Sequence, residues 1–126
     1  MHYVTDTHAL IWYLTDDPCL PRKAKRIFSE DYIVIPCIAL FELLYLIEKK
    51  KFEVNFAEFL SLIAAAANYR IEPLCLPIIE KSQLIPREKV TDPWDRLIAA
   101  TAIHLNYPLI TRDKKIKEIG VEIIWQ

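Results

Sequence analysis

The residues most able to do chemistry are four acids whose surroundings make each of them unusual: Asp6, Glu42, Asp95 and Asp113. Glu42 lies within the apolar run of residues 38–47, where a charged carboxylate is costly to bury unless it is paired, protonated or bound to a cation. If the four carboxylates converge, they repel one another and raise each other's pKa. A hard divalent cation with oxygen ligands, Mg²⁺ or Mn²⁺, would relieve that repulsion.

Each acid also has an ordinary structural explanation. Asp6 and Asp113 each follow an apolar run, where an Asp commonly caps the next helix. Asp92 precedes Pro93, which suits the first position of a helix, so Asp95 falls at the third position and could return a capping-box bond. A glutamate such as Glu42 could instead reach the surface or pair with an arginine. From the residues alone, these acids can be either structural groups such as helix caps or members of a functional site.

The elements that must position these acids alternate between short apolar strands and helices. Strands are predicted over residues 3–5, 32–35, 71–76, 108–110 and 121–125, and helices over residues 7–14, 21–29, 36–50, 56–67, 77–85, 93–105 and 114–119. This alternation predicts one α/β domain over residues 1–126, with a mostly parallel sheet and helices on both faces. Sites in such sheets lie beyond the carboxyl ends of the strands, which is where Asp6 and Asp113 fall.

Composition excludes several other kinds of site. Gly120 is the only glycine, so neither type of Gly-rich phosphate loop is present. No Gly-x-Ser-x-Gly or His-Glu-x-x-His motif occurs, although His8 lies close to Asp6 in sequence. Three cysteines without metal-finger spacing favour a reducing cytoplasm. The chain begins without a signal-like region and its most apolar run is too short to cross a bilayer, so we expect a cytoplasmic protein with no membrane association.

The basic residues are grouped, although the net charge is −1. Two runs are prominent, and either can be a solvated helix face or a contact for an RNA backbone: Lys49, Lys50 and Lys51, and Lys114 and Lys115. The absence of a strong positive charge overall leaves both interpretations open.

Four segments together resemble PIN domains, and within them the VapC-like toxin ribonucleases of type II toxin–antitoxin pairs. They are YVTDTHALIW at residues 3–12, LFE at residues 40–42, DPWDRLIAATA at residues 92–102 and LITRD at residues 109–113. The resemblance covers essentially the whole chain and implies a three-layer α/β/α fold with Mg²⁺ or Mn²⁺ bound by Asp6, Glu42, Asp95 and Asp113. It also implies a supporting role for Thr111, while Asp92 is either part of the site or only a helix cap.

Two positions depart from the family pattern. Phe41 stands where many relatives carry Trp, which affects no catalytic position, and Arg112 replaces a more usual small residue. Arg112 is therefore a candidate contact for RNA or for a neighbouring subunit.

The function that this resemblance implies is metal-dependent hydrolysis of RNA phosphodiester bonds by the toxin of a toxin–antitoxin system. The partners would be an RNA substrate, a cognate antitoxin protein and a second copy of the chain in a homodimer. Two alternatives are a catalytically degenerate PIN fold that only binds RNA or protein, and a phosphatase with Asp6 as nucleophile. The phosphatase would want a second acid two residues after Asp6, where this chain has His8.

Overall fold

A five-stranded sheet with the strand order β3-β2-β1-β4-β5 forms the centre of the computed structural model, which describes residues 1–126. The strands are β1 (His2–Thr5), β2 (Tyr32–Pro36), β3 (Tyr69–Glu72), β4 (Leu109–Ile110) and β5 (Ile123–Ile124). The helices are α1 (Thr7–Leu14), α2 (Arg22–Glu30), α3 (Cys37–Glu48), α4 (Phe56–Ala65), α5 (Leu76–Ser82), α6 (Pro93–Leu105) and a 3₁₀ helix, Lys114–Ile119. Every strand pairing is parallel.

Alternation along the central strands produces two apolar layers, one on each face of the sheet. In β1, Tyr3 packs into a core of 16 buried residues with α1, α2 and α4, whereas Val4 packs into a second core of 13 buried residues with α5 and α6. Leu109 and Ile110 of β4 divide between the two cores in the same way, since successive strand residues point to opposite faces. The predicted α/β/α architecture with its parallel sheet is therefore confirmed.

The third strand lies earlier in the chain than the sequence predicted. The expected strand over residues 71–76 contains Pro73, which has no amide hydrogen to donate to a neighbouring strand. The structure instead pairs Tyr69 with Ile33 and Glu72 with Pro36, and the strand ends just before the proline. The prediction was misled by the apolar residues of this segment, which the structure leaves exposed or only partly buried.

Arg96, in the first half of α6, holds the end of α5 in place. One of its terminal guanidinium nitrogens donates to the carbonyl of Ser82 at 2.9 Å and to that of Ile85 at 3.2 Å. Its Nε is buried without a hydrogen-bond partner, so the guanidinium is only partly satisfied. Ser82 is the last residue of α5 and Ile85 lies in the loop that follows, so Arg96 ties α6 to the start of the loop that leads to Asp92.

We predict that Arg96→Met, which keeps much of the side-chain length, will lower the free energy of unfolding by about 1–3 kcal/mol because two hydrogen bonds from a charged group are lost. Urea denaturation followed by circular dichroism measures this change. The exposed Arg26→Met provides a matched control and should unfold at the wild-type midpoint. Equal stability of Arg96→Met and the control would contradict a clamping role for Arg96.

Candidate active site

A cleft of about 270 Å³ opens at the carboxyl-terminal edge of the sheet. Five acidic side chains line it: Asp6, Glu42, Asp92, Asp95 and Asp113. The remaining lining residues are His8, Trp12, Thr111 and Arg112. The structure thus brings together all four of the acids singled out in the sequence, together with both supporting residues. Their catalytic roles remain predictions.

Asp6 and Asp113 reach the cleft from the ends of adjacent strands. The amide of Asp6 donates to the Ile110 carbonyl at 3.1 Å, which joins the end of β1 to the end of β4. The Asp6 carboxylate caps α1 by accepting from the Ala9 amide at 2.9 Å. Asp113 similarly caps the 3₁₀ helix by accepting from the Lys115 amide at 3.0 Å. Both acids are therefore caps and cleft residues at once, so the two interpretations are not exclusive.

Thr111 connects these two acids. Its side chain is only 1% exposed, and its hydroxyl oxygen accepts a hydrogen bond from the Asp113 amide at 3.1 Å. The same hydroxyl lies beside Asp6, where it opposes the rise in the pKa of that carboxyl. Thr111 therefore orders the turn that carries Asp113 and provides polar surroundings for Asp6 at the floor of the cleft.

Glu42 is buried, with 7% of its surface exposed, and has no arginine partner. Its Oε1 accepts a 2.6 Å hydrogen bond from the hydroxyl of Thr7, in the first turn of α1. The alternatives of a surface-reaching glutamate and of an arginine pair are both wrong. The contact fixes the orientation of a carboxylate that α3 would otherwise carry into the core.

Asp92 and Asp95 occupy the first turn of α6. Asp92 is the N-cap, because its Oδ1 accepts from the amides of Trp94 at 2.8 Å and Asp95 at 3.2 Å. The capping-box bond that would have explained Asp95 structurally is absent, because the Asp95 carboxylate accepts no hydrogen bond from the Asp92 amide or from any other donor. The Asp95 carboxylate is left free and directed into the cleft.

Burial, with repulsion from neighbouring carboxylates, raises the pKa of three of these acids. Burial, followed by repulsion from Asp92 and Glu42, raises the pKa of Asp95 to about 7. Burial likewise raises the pKa of Glu42 and of Asp6, although the Thr7 hydroxyl opposes the shift at Glu42. The cleft is therefore a site where charged carboxylates are unfavourable unless a cation joins them.

The donor chemistry fits a hard divalent cation, because carboxylate and hydroxyl oxygens are the groups that such ions prefer. The side chains are not yet in ligand geometry, since no three His, Cys, Asp or Glu residues are gathered closely enough to hold an ion. The match is thus one of composition and charge, and cation binding would require the acidic side chains of the cleft to move closer together.

The predicted basic contacts do not line the cleft, with the exception of Arg112. Lys49 lies over the ring of Tyr45 at 5.5 Å, and Lys50 adopts the left-handed backbone conformation just after α3. Lys51, Lys114 and Lys115 are exposed. A role for these lysines in RNA binding remains a prediction.

Thr7 and Trp12 have roles at the cleft that the sequence analysis did not assign. Thr7 is buried and does not line the cleft, but its hydroxyl orients Glu42, and only its position directly after Asp6 pointed to the site. Trp12 is half-buried, packs against the first apolar core and lines the cleft with one side. Its position one helical turn after His8 was the available signal, since residues four apart share a helix face.

We predict that Asp95→Asn will gain thermal stability relative to wild type as the pH rises from about 4 to about 7 in the absence of metal. The raised folded-state pKa favours folding below the unfolded value of about 3.9, and this advantage is lost as the pH rises through about 7, at about 1.4 kcal/mol per pKa unit. The neutral variant has no such dependence. Melting temperatures across this range measure the difference, and the exposed Glu30→Gln should follow wild type. A constant difference would contradict the raised pKa.

No helix of the structure has the combination of length and apolar character needed to cross a membrane. Among known proteins, a curated relative is Ribonuclease VapC22 of Mycobacterium tuberculosis, 26% identical over 113 residues that cover 89% of this chain and 87% of the relative.

Solved structures share the fold over the full length of the chain. VapBC2 of Rickettsia felis, bound to a DNA fragment from its promoter, superposes with a TM-score of 0.75 at 22% identity and 100% coverage of both chains. VapC20 of Mycobacterium tuberculosis, described as a Sarcin-Ricin loop cleaving toxin, superposes with a TM-score of 0.70 at 13% identity, covering 98% of this chain and 99% of that one.

The family model described as PIN domain matches residues 3–122, which include all five acids of the cleft. The strand order, the cleft at the carboxyl edge of the sheet and this match agree with the resemblance carried by the four sequence segments. The chain therefore belongs to the PIN domain family.

Proposed function

We propose that this protein is a metal-dependent endoribonuclease that hydrolyses RNA phosphodiester bonds, and that it serves as the toxin of a toxin–antitoxin pair. The observation that carries the proposal is the set of five acids gathered in one cleft of a PIN fold, three of which have a raised pKa. The similarity to a protein named Ribonuclease VapC22 supports the choice of RNA as substrate.

Asp6, Glu42, Asp95 and Asp113 would hold one or two Mg²⁺ or Mn²⁺ ions. Such an ion supplies neutralisation of phosphate charge and lowers the pKa of an attacking water. The chain's own contribution is to keep the acids in place by independent contacts. Asp6 and Asp113 are fixed as helix caps, and Glu42 by the Thr7 hydroxyl.

The hydrolysis itself needs a proton acceptor for the attacking water, and a leaving oxygen on the opposite side of phosphorus from that water. The oxygen of a water attacks phosphorus, the bond from phosphorus to the 3′-oxygen breaks, and the products carry 5′-phosphate and 3′-hydroxyl ends. A carboxylate of the cleft takes the water proton, and solvent returns a proton to the 3′-oxygen. Asp95 suits the acceptor role because its carboxylate lines the cleft and is free of hydrogen bonds.

The toxin assignment rests on relatives found with antitoxins, since the similar structures include VapBC complexes. We propose that a cognate antitoxin and a second copy of this chain bind the exposed surface. Several large aliphatic side chains are uncovered around α5, as expected of a surface that partners bury: Leu74 at 40%, Leu76 at 67%, Ile79 at 46% and Leu84 at 66% exposure.

No feature of the structure favours either alternative function, the catalytically degenerate binding module or the phosphatase. A degenerate binding module does not require five acids in one cleft. An aspartate-nucleophile phosphatase would place a second acid at the position of His8, where the structure has an imidazole that stabilises the charged forms of Asp6 and Glu42. Assays with phosphomonoester substrates beside RNA separate these possibilities from the nuclease.

We predict that Asp6→Asn, Glu42→Gln, Asp95→Asn and Asp113→Asn will each reduce Mg²⁺-dependent RNA cleavage by about two orders of magnitude or more, because each change removes a ligand and its charge. Cleavage of a labelled RNA, followed on denaturing gels, measures the loss. Glu30→Gln serves as the matched control, since Glu30 is exposed and distant in sequence from every cleft acid. Wild-type turnover in Asp95→Asn would mean that this acid is structural.

We also predict that millimolar Mg²⁺ or Mn²⁺ will raise the melting temperature of wild type more than that of Asp113→Asn or Glu42→Gln. Only the folded state offers the assembled site, so a cation at 100 times its Kd stabilises it by about 2.7 kcal/mol. In a chelator, Asp113→Asn and Glu42→Gln should instead melt at a higher temperature than wild type, because removing one negative charge relieves repulsion. If neither cation changed the melting temperature of wild type, the metal dependence of the proposed function would be wrong.

A further inference from the structure

Arg112 is the only lysine or arginine that lines the acidic cleft. Its guanidinium carbon lies 5.0 Å from the centre of the Trp12 ring. Despite five neighbouring acids, Arg112 takes part in none of the four ion pairs of the structure, and its side chain donates no hydrogen bond. The guanidinium is therefore a free cation at the mouth of an acidic cleft.

Trp12 is a fixed surface for this contact. The ring is half-buried on α1, 5.6 Å from the ring of His8 and 5.9 Å from that of Trp125. Its packing against the first apolar core prevents it from moving freely. A guanidinium over a tryptophan face gains about 0.5–1 kcal/mol at an exposed site, similar to an exposed ion pair. The ring can therefore hold Arg112 about as strongly as an exposed carboxylate would, and it is the partner that the guanidinium contacts in the structure.

This arrangement leaves the donor groups of Arg112 available to a ligand. A guanidinium presents five N–H donors in one plane, and those of Arg112 have no acceptor within the chain, because its one side-chain contact of this kind is with the face of the Trp12 ring. Phosphate oxygens match an edge of the guanidinium plane in pairs, which a lysine ammonium cannot reproduce. The phosphates of an RNA strand that enters the cleft would be repelled by its five acids, so a cation among the lining residues can attract them.

We propose that Arg112, oriented by Trp12, binds the non-bridging oxygens of the RNA phosphate that enters the acidic cleft. Arg112 is then a substrate-binding residue, and Trp12 is a positioning residue that acts through it. The inference rests on the proposed function, because it names a contact that this nuclease makes with its substrate. The competing explanation is that Arg112 only offsets the charge of the acids.

The test separates binding from cleavage. Binding of a fluorescein-labelled, single-stranded ten-nucleotide RNA is measured by anisotropy in a chelator, over a range of salt concentrations. The chains are wild type, Arg112→Ala, Arg112→Lys, Trp12→Leu and, as a control of the same residue type, Arg26→Ala. Arg26 is exposed on α2 and does not line the cleft; its charge acts electrostatically on the Tyr3 hydroxyl instead, where it opposes the rise in pKa. Steady-state cleavage with Mg²⁺ then gives KM and kcat.

Arg112→Ala should weaken binding about tenfold and reduce the salt slope by about 0.7, the value for one phosphate contact on a single strand. Arg112→Lys should keep the slope while losing affinity, and Trp12→Leu should raise KM more than it lowers kcat. Arg26→Ala should match wild type. If Arg112 only offset the acids, Arg112→Ala would bind with the wild-type slope and change its melting temperature with pH instead.

An unchanged affinity and salt slope in Arg112→Ala overturns the proposal, whatever the cleavage result. A wild type that binds the RNA but cleaves nothing refutes the nuclease function, while the salt slope still decides whether Arg112 contacts phosphate. Should Trp12→Leu unfold, the comparison of Arg112→Lys with Arg112→Ala decides the question alone, because an exposed arginine can be replaced without loss of the core.

Discussion

The cost of gathering carboxylates in one partly buried cleft is the constraint around which the carboxyl edge of this sheet is organised. Asp95 shows it most clearly, because burial first and then four neighbouring acids raise its pKa to about 7. The fold tolerates that strain because the remaining acids are held by contacts that do not depend on their charge partners. Asp6 and Asp113 satisfy helix amides, and Glu42 is bonded by the Thr7 hydroxyl.

Parallel strands make such a cleft a natural result of the topology. All the strands end at the same edge, so residues far apart in sequence meet there, and the helix amino termini that follow face the same space. Those amino termini also favour negative charge through their unpaired amides. The same backbone geometry therefore both gathers the acids and reduces the cost of having them close together, although Asp95 shows that the compensation is incomplete.

Sequence patterns predicted the order of elements, the parallel sheet and the location of the four acids, because helix caps and apolar runs are local signals. They placed the third strand too late in the chain, because the apolar residues after Glu72 lie beyond the strand, which ends before Pro73. They also could not reveal the Thr7–Glu42 bond, which joins residues 35 positions apart, or the contact between Arg112 and Trp12. Such contacts depend on packing between elements, which no local spacing encodes.

The strand order has a consequence for how the protein is made. β1 leaves the ribosome first but occupies the middle of the sheet, and its neighbour β4 begins only at Leu109. Until β4 is available, one edge of β1 has no partner, and Asp6 has no Thr111 or Asp113 beside it. The cleft therefore cannot be complete until the segment that carries Thr111 and Asp113 has been synthesised and β4 has paired with β1.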